Sequence, residues 1–217
     1  MYCSGIMDAQ TSQRDPVIAS GSVTGPAGGF EPKADESSSP ILQCGQTCWR
    51  IESAEQAAFL IDGDAYFRAF REVAVQASQT LYIAGWDLDT QVDLVRGYEE
   101  TPQLPAKLGE FLAALLRRKR RLKIYVLNWD FAMIYALERE WMPTAQAGWN
   151  DHRRLSYRVD GQHPLGASHH QKIVVVDDTM AFVGGLDLTK SRWDTSAHAA
   201  QDPRRVDADG QAYPPFH

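Results

Sequence analysis

The sequence lacks any apolar run long enough to span a bilayer, and its first 20 residues contain no apolar core of signal-peptide length. We therefore expect a cytoplasmic or peripheral membrane protein. Cysteine is also scarce, with three residues in 217. Cys44 and Cys48 have neither the spacing nor the second pair of a metal knuckle, and Cys3 lies far from both. Free thiols are the simplest interpretation, and they fit a reducing compartment.

Basic residues are outnumbered by acidic ones, 22 to 28, and the formal net charge is −6. This balance argues against a broad nucleic-acid-binding surface. The strongest basic cluster is the run at residues 117–121. At the end of a predicted helix this run would offset the negative end of the helix dipole. Binding to anionic lipid headgroups or to nucleic acid is the alternative.

The chain is long enough to bury one sizeable core, with 44% hydrophobic residues. Its first 40 residues are rich in Gly, Ser and Pro and have few apolar side chains to offset the entropy of ordering. We therefore predict a disordered tail over residues 1–40 and a single domain over residues 41–217.

Helical and extended patterns alternate along this domain. Apolar residues recur at helical spacing in two segments, Asp130 can cap a third helix that runs to about Trp141, and short β-branched or aromatic runs lie between them. The alternation predicts an α/β fold with a mixed β-sheet flanked by helices. The predicted helices cover residues 66–77 and 104–115, and the predicted strands cover residues 81–84, 122–127 and 155–159.

A β-hairpin is predicted shortly after position 170. Residues 173–176 form a β-branched run, residues 177–179 favour a turn, and residues 180–183 are apolar again. The hairpin strands are antiparallel, and this is why the predicted sheet is mixed.

Polar side chains flank the hairpin at positions suited to phosphate chemistry. His170 and Lys172 share one face of an extended strand, where the histidine can attack phosphorus and the lysine can neutralise a phosphate oxygen. A two-residue loop at 178 and 179 would place Gly185 opposite Lys172 and Asp187 opposite His170. This register predicts one cluster of an imidazole, an ammonium and a carboxylate. The glycines would leave room for a ligand.

Asp177 is the next acidic residue after His170, but a direct contact between the two is excluded on a straight strand. Seven extended residues span roughly 23 Å. We therefore expect Asp177 to act mainly at the turn, where its carboxylate can accept backbone hydrogen bonds.

The pattern His170-x-Lys172-x4-Asp177 resembles the histidine–lysine–aspartate motif of the phospholipase D superfamily. Gly184-Gly185-x-Asp187 and the later Arg192-Trp193-Asp194 are similar to the phosphatidylcholine-cleaving members. The resemblance implies a histidine nucleophile that forms a phosphohistidine, a second motif histidine that protonates the leaving alcohol, and no metal or other cofactor. It implies three catalytic candidates and two substrate-binding candidates, which are His170, Lys172 and Asp177, and Gly185 and Asp187.

Only one such motif occurs in the sequence. In the superfamily two motifs meet in one site, so we expect the N-terminal half of a two-motif enzyme, truncated before its second half. The expected partners are a phospholipid substrate, a membrane surface, and a second half in the same polypeptide or in a second chain. Two alternatives remain: a self-complementing homodimeric phosphodiesterase or nuclease, and an inactive fragment. Nucleic acid is the less favoured substrate.

Further histidines and tryptophans have two interpretations each. His163 and His169 could join His170 in a metal cluster, but no carboxylate or cysteine completes a recognisable ligand set. We expect His169 to pack or to support the site instead. Trp86, Trp129 and Trp193 could line a lipid pocket or belong to the core. The sequence alone does not decide between these two roles.

Overall fold

The computed structural model describes residues 41–97, 104–130, 149, 152–164 and 167–215. The predicted tail over residues 1–40 and the predicted helix beyond Asp130 lie outside these ranges. Two helices and five strands are present in the described part of the chain. They are α1 (Asp62–Gln76), β1 (Thr80–Gly85), α2 (Leu108–Arg118), β2 (Lys123–Trp129), β3 (Leu155–Asp160), β4 (Ile173–Val176) and β5 (Met180–Val183).

The five strands form one sheet in the order β3-β2-β1-β4-β5. β1, β2 and β3 are parallel, whereas β4 is antiparallel to both β1 and β5. A parallel pair needs a crossover, and α2 lies in the crossover between β1 and β2. The hairpin supplies the antiparallel edge. The prediction of an α/β fold with a mixed sheet is thus confirmed.

One face of the sheet packs into the hydrophobic core. Alternate strand residues such as Leu81 and Ile83 are buried, in keeping with the two-residue period of a strand. Helix residues Phe70 and Phe111 meet edge to face with ring centroids 6.3 Å apart. Each fully buried side chain of this size contributes about 1.5–3 kcal/mol. Further core members are Phe67, Leu112, Leu115, Ile124, Val126, Val174, Val176 and Phe182.

The ends of the helices are held by basic side chains. Lys119 donates hydrogen bonds to the carbonyls of Val75 and Ala77, the latter at 2.6 Å. Arg154 donates to the carbonyl of Leu116 at 2.6 Å. These contacts satisfy carbonyl groups that a helix end leaves without a partner. The basic run at 117–121 therefore begins where the dipole of α2 favours positive charge, and Lys119 also joins α2 to α1.

The segment after the hairpin is anchored on the first turn of α1. Trp193 is fully buried, and its indole N–H donates to Asp64 at 2.9 Å. The next residue, Asp194, forms a buried ion pair with Arg205 at 3.0 Å. Trp193 is therefore a core residue and does not line a pocket, which decides between its two predicted roles.

Two findings complete the description of the chain. Cys44 and Cys48 are free thiols. Among the described residues, neither helix has the length and apolar character needed to cross a membrane.

Candidate active site

The register of the hairpin differs by one residue from the predicted one. Val176 lies opposite Met180, and Ile173 lies opposite Val183. The connection therefore has three residues and not two. Asp177 and Asp178 both adopt left-handed backbone angles, with φ of 49° and 54°. Aspartate tolerates this conformation better than most residues, and this explains why the sequence allows the longer turn.

Lys172 and Asp187 nevertheless meet. β5 ends at Val183, and the chain bends at Gly184 and Gly185, so that Asp187 returns towards β4. Asp187 Oδ2 lies 2.7 Å from Lys172 Nζ, with both side chains almost completely buried. An ammonium has three N–H groups, so this ion pair leaves Lys172 further donors for another acceptor.

The second carboxylate oxygen of Asp187 fixes this pair to the end of β1. Asp187 Oδ1 accepts a hydrogen bond from the backbone N–H of Trp86 at 2.9 Å. The predicted placement of Asp187 opposite His170 is wrong, because it depended on the two-residue loop. In the structure Asp187 instead holds the ammonium of Lys172 beside the first residue after β1.

His170 is exposed and precedes the first residue of β4. Its ring meets the ring of Trp86 edge-on, with centroids 5.8 Å apart. The same indole lies 5.9 Å from Lys172 Nζ and stacks on Trp129 at 5.5 Å. Trp86 thus contacts both the imidazole and the ammonium. Trp86 is partly exposed and lines the site, whereas Trp129 is buried and packs against it.

Asp177 lies at the other end of β1. Its carboxylate accepts backbone hydrogen bonds from Ser78, Gln79 and Thr80 at 2.7–2.8 Å, and a further one from the Ser78 hydroxyl. Burial opposes ionisation of this carboxyl, but these hydrogen bonds outweigh it and hold its pKa below the usual range. The expected backbone hydrogen bonds are therefore present, although the donors lie just before β1 and at its first residue and are not part of the turn itself.

The two other histidines near the site are engaged with neighbours. His163 Nε2 accepts a hydrogen bond from the Trp129 indole at 2.8 Å. His169 Nδ1 lies 2.9 Å from the side-chain oxygen of Gln171. Across the described residues, no group of three His, Cys, Asp or Glu side chains is placed to hold a metal ion.

Comparison with known proteins identifies the family. The family model described as Phospholipase D matches residues 73–207. The chain belongs to the phospholipase D family. It is 34% identical over 155 residues to Phospholipase D C of Dictyostelium discoideum, covering 70% of this chain and 9% of that protein. It is 32% identical over 153 residues to Phospholipase D zeta 2 of Arabidopsis thaliana, covering 68% of this chain and 14% of that protein.

A relative from animals also matches. Phospholipase D1 of Homo sapiens is 23% identical over 159 residues, which cover 70% of this chain and 14% of that protein. The chain thus spans a small fraction of the length of these phospholipases D. The matched family region includes the hairpin and every candidate from His170 to Asp187.

Tyr66 belongs to the site, and the sequence analysis did not find it. This residue of α1 belongs to the apolar pattern that predicted the helix over residues 66–77, and its side chain lines the space beside Lys172 and Asp187. Burial, and then the charge of Asp187, raise the pKa of its hydroxyl. In the sequence, a tyrosine within an apolar helical pattern looks the same whether it only packs or also takes part in a site.

Proposed function

We propose that this chain supplies one half of a phospholipase D-type site that hydrolyses or transfers the phosphatidyl group of phospholipids. In this proposal His170 is the nucleophile. This proposal rests on one observation: the imidazole of His170 is exposed and packs against the indole of Trp86. The same indole also contacts the ammonium of Lys172. A phosphodiester between the two side chains would meet a nucleophile and a positive charge at once.

The reaction has two displacements. An imidazole nitrogen of His170 forms a bond to phosphorus, the bond from phosphorus to the leaving alcohol breaks, and a second histidine protonates that alcohol. Water or another alcohol then attacks phosphorus and releases His170, giving a proton to the second histidine. The proposed reaction steps do not need a metal ion, because histidine supplies the nucleophile and lysine supplies the positive charge.

One histidine cannot act on both sides of the phosphorus atom. The attacking and leaving groups lie in line, so the acid must approach from the face opposite His170. The proposed site is complete only with a second motif, from a further half of the polypeptide or from a second chain. A symmetric pair of chains, each supplying one histidine, is the second candidate arrangement.

Lys172 and Asp187 have different proposed roles. Lys172 neutralises the charge that develops on the phosphoryl oxygens, and Asp187 holds the ammonium at the end of β1. Asp187 is buried, and its two oxygens have partners within the chain, which supports a positioning role rather than direct substrate binding. Asp177 lies at the opposite end of β1, about 17 Å away along a six-residue strand. We propose a structural role for Asp177.

Lipid is the proposed substrate class for two reasons. The relatives that match are named phospholipases D. The net charge of −6 also disfavours a polyanionic substrate such as nucleic acid. Peripheral contact with a membrane is part of the proposal, because a phospholipid must be reached in its bilayer.

A trapping experiment tests the nucleophile. The chain is mixed with a matching second half and with phosphatidylcholine, quenched during turnover, and the peptide that carries the covalent phosphatidyl group is mapped by mass spectrometry. We expect this group on His170, and no choline release by His170→Asn. His169→Asn is the matched control and should retain activity. Phosphorylation found exclusively on the second half would reassign His170 as the general acid.

The isolated chain provides a separate test of the half-site. We expect choline release to be negligible without a second half. A monomer that turns over phosphatidylcholine alone would contradict the half-site, and sedimentation measured beside the assay identifies the species. An active symmetric dimer would instead select the self-complementing arrangement.

A further inference from the structure

A cavity of about 210 Å³ lies on the core side of the β4–β5 hairpin, against the Lys172 side chain. Pockets that enclose a drug-sized ligand have roughly 300–1,000 Å³, so this cavity fits one end of a larger molecule. Its walls are mainly apolar and come from the segment before α1, from α1 and from the hairpin. They include Leu60, Tyr66, Phe182, Gly184, Gly185 and Leu186.

Two glycines leave one side of the cavity open. A Cβ added to Gly184 or to Gly185 would meet no atom within 4 Å. Neither residue has a left-handed backbone. Within the described chain, neither packing nor backbone conformation requires glycine at these positions. The open space lies next to the ammonium of Lys172. A larger side chain at either glycine position would occupy this space and compete with a bound ligand for it.

Tyr66 adds a polar group to this apolar wall. Its ring packs against Phe182, with centroids 6.0 Å apart. A tyrosine hydroxyl is protonated at neutral pH, and burial and the nearby Asp187 carboxylate raise its pKa further. A protonated phenol can donate a hydrogen bond to an ester or phosphate oxygen. The cavity therefore combines a positive charge, one hydroxyl donor and apolar walls.

We propose that this cavity binds the acyl-ester end of the phosphatidyl group, with Tyr66 as a hydrogen-bond donor to the ligand. This inference rests on the proposed function and adds the location of the lipid part of the substrate. Lys172 binds the phosphate at the inner end, and the walls enclose the first carbons of an acyl chain. The remaining chain leaves past Phe59, which lines the mouth and is 95% exposed.

Charge distinguishes the acyl end from a cationic headgroup. Asp187 is already paired with the ammonium of Lys172, and the residues that line the cavity include no other carboxylate, so a quaternary ammonium would have no counterion there. An acyl ester is neutral and suits apolar walls. The stacked indoles of Trp86 and Trp129 are not among the residues that line this cavity.

Three phosphate probes separate the two ends of the substrate. They are dihexanoylphosphatidic acid below its micelle-forming concentration, glycerol 3-phosphate and phosphocholine, each titrated into the ¹⁵N-labelled chain. We expect the acyl probe to shift the backbone amides of Gly184 and Gly185 and to bind at least about tenfold more tightly than glycerol 3-phosphate. Phosphocholine should leave these two amides unshifted.

Variants test the cavity itself. Gly185→Leu places a side chain in the open space and should weaken the acyl probe about tenfold while binding of glycerol 3-phosphate stays the same. Tyr66→Phe should weaken the acyl probe several-fold with an unchanged melting temperature. Tyr82→Phe is its matched control, because Tyr82 lies partly exposed on the other face of the sheet. Gly184→Ala, a smaller change, replaces Gly185→Leu if that variant unfolds.

The outcomes separate this inference from the proposed function. If the chain binds the acyl probe and glycerol 3-phosphate equally tightly and Lys172→Ala abolishes binding of both, the acyl site is overturned and the proposed phosphate site stands. Binding of phosphocholine at Gly184 and Gly185 would overturn it in favour of a headgroup site. If Lys172→Ala binds the acyl probe as tightly as wild type does, the result would support an apolar pocket and count against the proposed function. Failure of the acyl probe to bind overturns the inference.

Discussion

Asp187 lies 2.7 Å from the ammonium of Lys172 and accepts the backbone N–H of Trp86 through its other oxygen. One buried carboxylate thus fixes the position of the lysine relative to the end of β1. Preorganisation of this kind is effective in catalysis, because the charge is in place before the transition state forms. The pair also has a structural consequence, since loss of either partner leaves a buried charge without its counterion.

Lys172→Ala should therefore affect two properties. In a complemented, active assembly we expect the rate of the chemical step to fall by the equivalent of about 2–4 kcal/mol, because the ammonium that stabilises the negative phosphoryl oxygens is lost. Single-turnover kinetics with phosphatidylcholine measures this step. We also expect lower stability, because Asp187 remains buried and unpaired.

The second variant, Asp187→Asn, separates these effects. It keeps the size of the side chain and leaves Lys172 present, but it removes the charge that holds the ammonium. We expect a stability loss of about 3 kcal/mol and a smaller kinetic effect than that of Lys172→Ala. A larger kinetic loss in Asp187→Asn than in Lys172→Ala would contradict the positioning role of Asp187.

Asp177→Asn should act on folding. The amide cannot accept all the hydrogen bonds that Ser78, Gln79 and Thr80 donate to the carboxylate, and its own N–H groups would face these donors. We expect a loss of about 2–3 kcal/mol in the free energy of unfolding. Denaturant unfolding of the full chain measures it. Asp178→Asn, at the exposed neighbouring turn position, is the matched control and should change stability little.

The same carboxylate predicts a pH dependence. The folded-state pKa of Asp177 lies below its ordinary value of 3.8, so the unfolded state binds the proton more readily. The stabilisation is therefore complete above about pH 5 and is lost as the pH falls through the folded-state pKa. The stability difference between wild type and Asp177→Asn should shrink below about pH 4. A difference that grows with acidification would contradict the assignment.

The sequence predicted the elements of the fold better than their register. Strand alternation and helical spacing are local properties, and the predicted segments 81–84 and 155–159 lie within β1 and β3. The hairpin turn was one residue longer than predicted, because Asp177 and Asp178 adopt left-handed angles that the sequence permits without requiring. The Lys172–Asp187 contact still forms, since the bend at the two glycines moves Asp187.

Contacts between distant segments were not accessible to sequence reasoning. The donors to Asp177 lie 97 to 99 residues earlier in the chain. Their backbone N–H groups have no residue-specific signature. The spacing of Tyr66 predicted only that it belongs to a helix, and its position beside Asp187 distinguishes it from the other residues of that pattern. The motif resemblance identified His170 and Lys172, whereas tertiary geometry alone locates Tyr66.

The buried pair of Asp194 and Arg205 supports a final prediction. Both side chains are 2% exposed and their atoms are 3.0 Å apart. Arg205→Met should lower the free energy of unfolding by about 3–5 kcal/mol, because Asp194 would remain buried and charged. Arg50→Met is the control, since the pair of Arg50 with Glu52 is exposed on both sides and is worth about 0–1 kcal/mol.

The double variant Asp194→Leu/Arg205→Met tests whether the loss comes from the orphaned charge. Removal of both charges also removes the desolvation cost, so we expect the double variant to be more stable than Arg205→Met alone. The coupling energy from the double-mutant cycle should reach about 2 kcal/mol or more. Additive losses in denaturant unfolding would mean that the two residues stabilise the chain independently, through their other hydrogen bonds to Thr195 and to the carbonyl of Ala200.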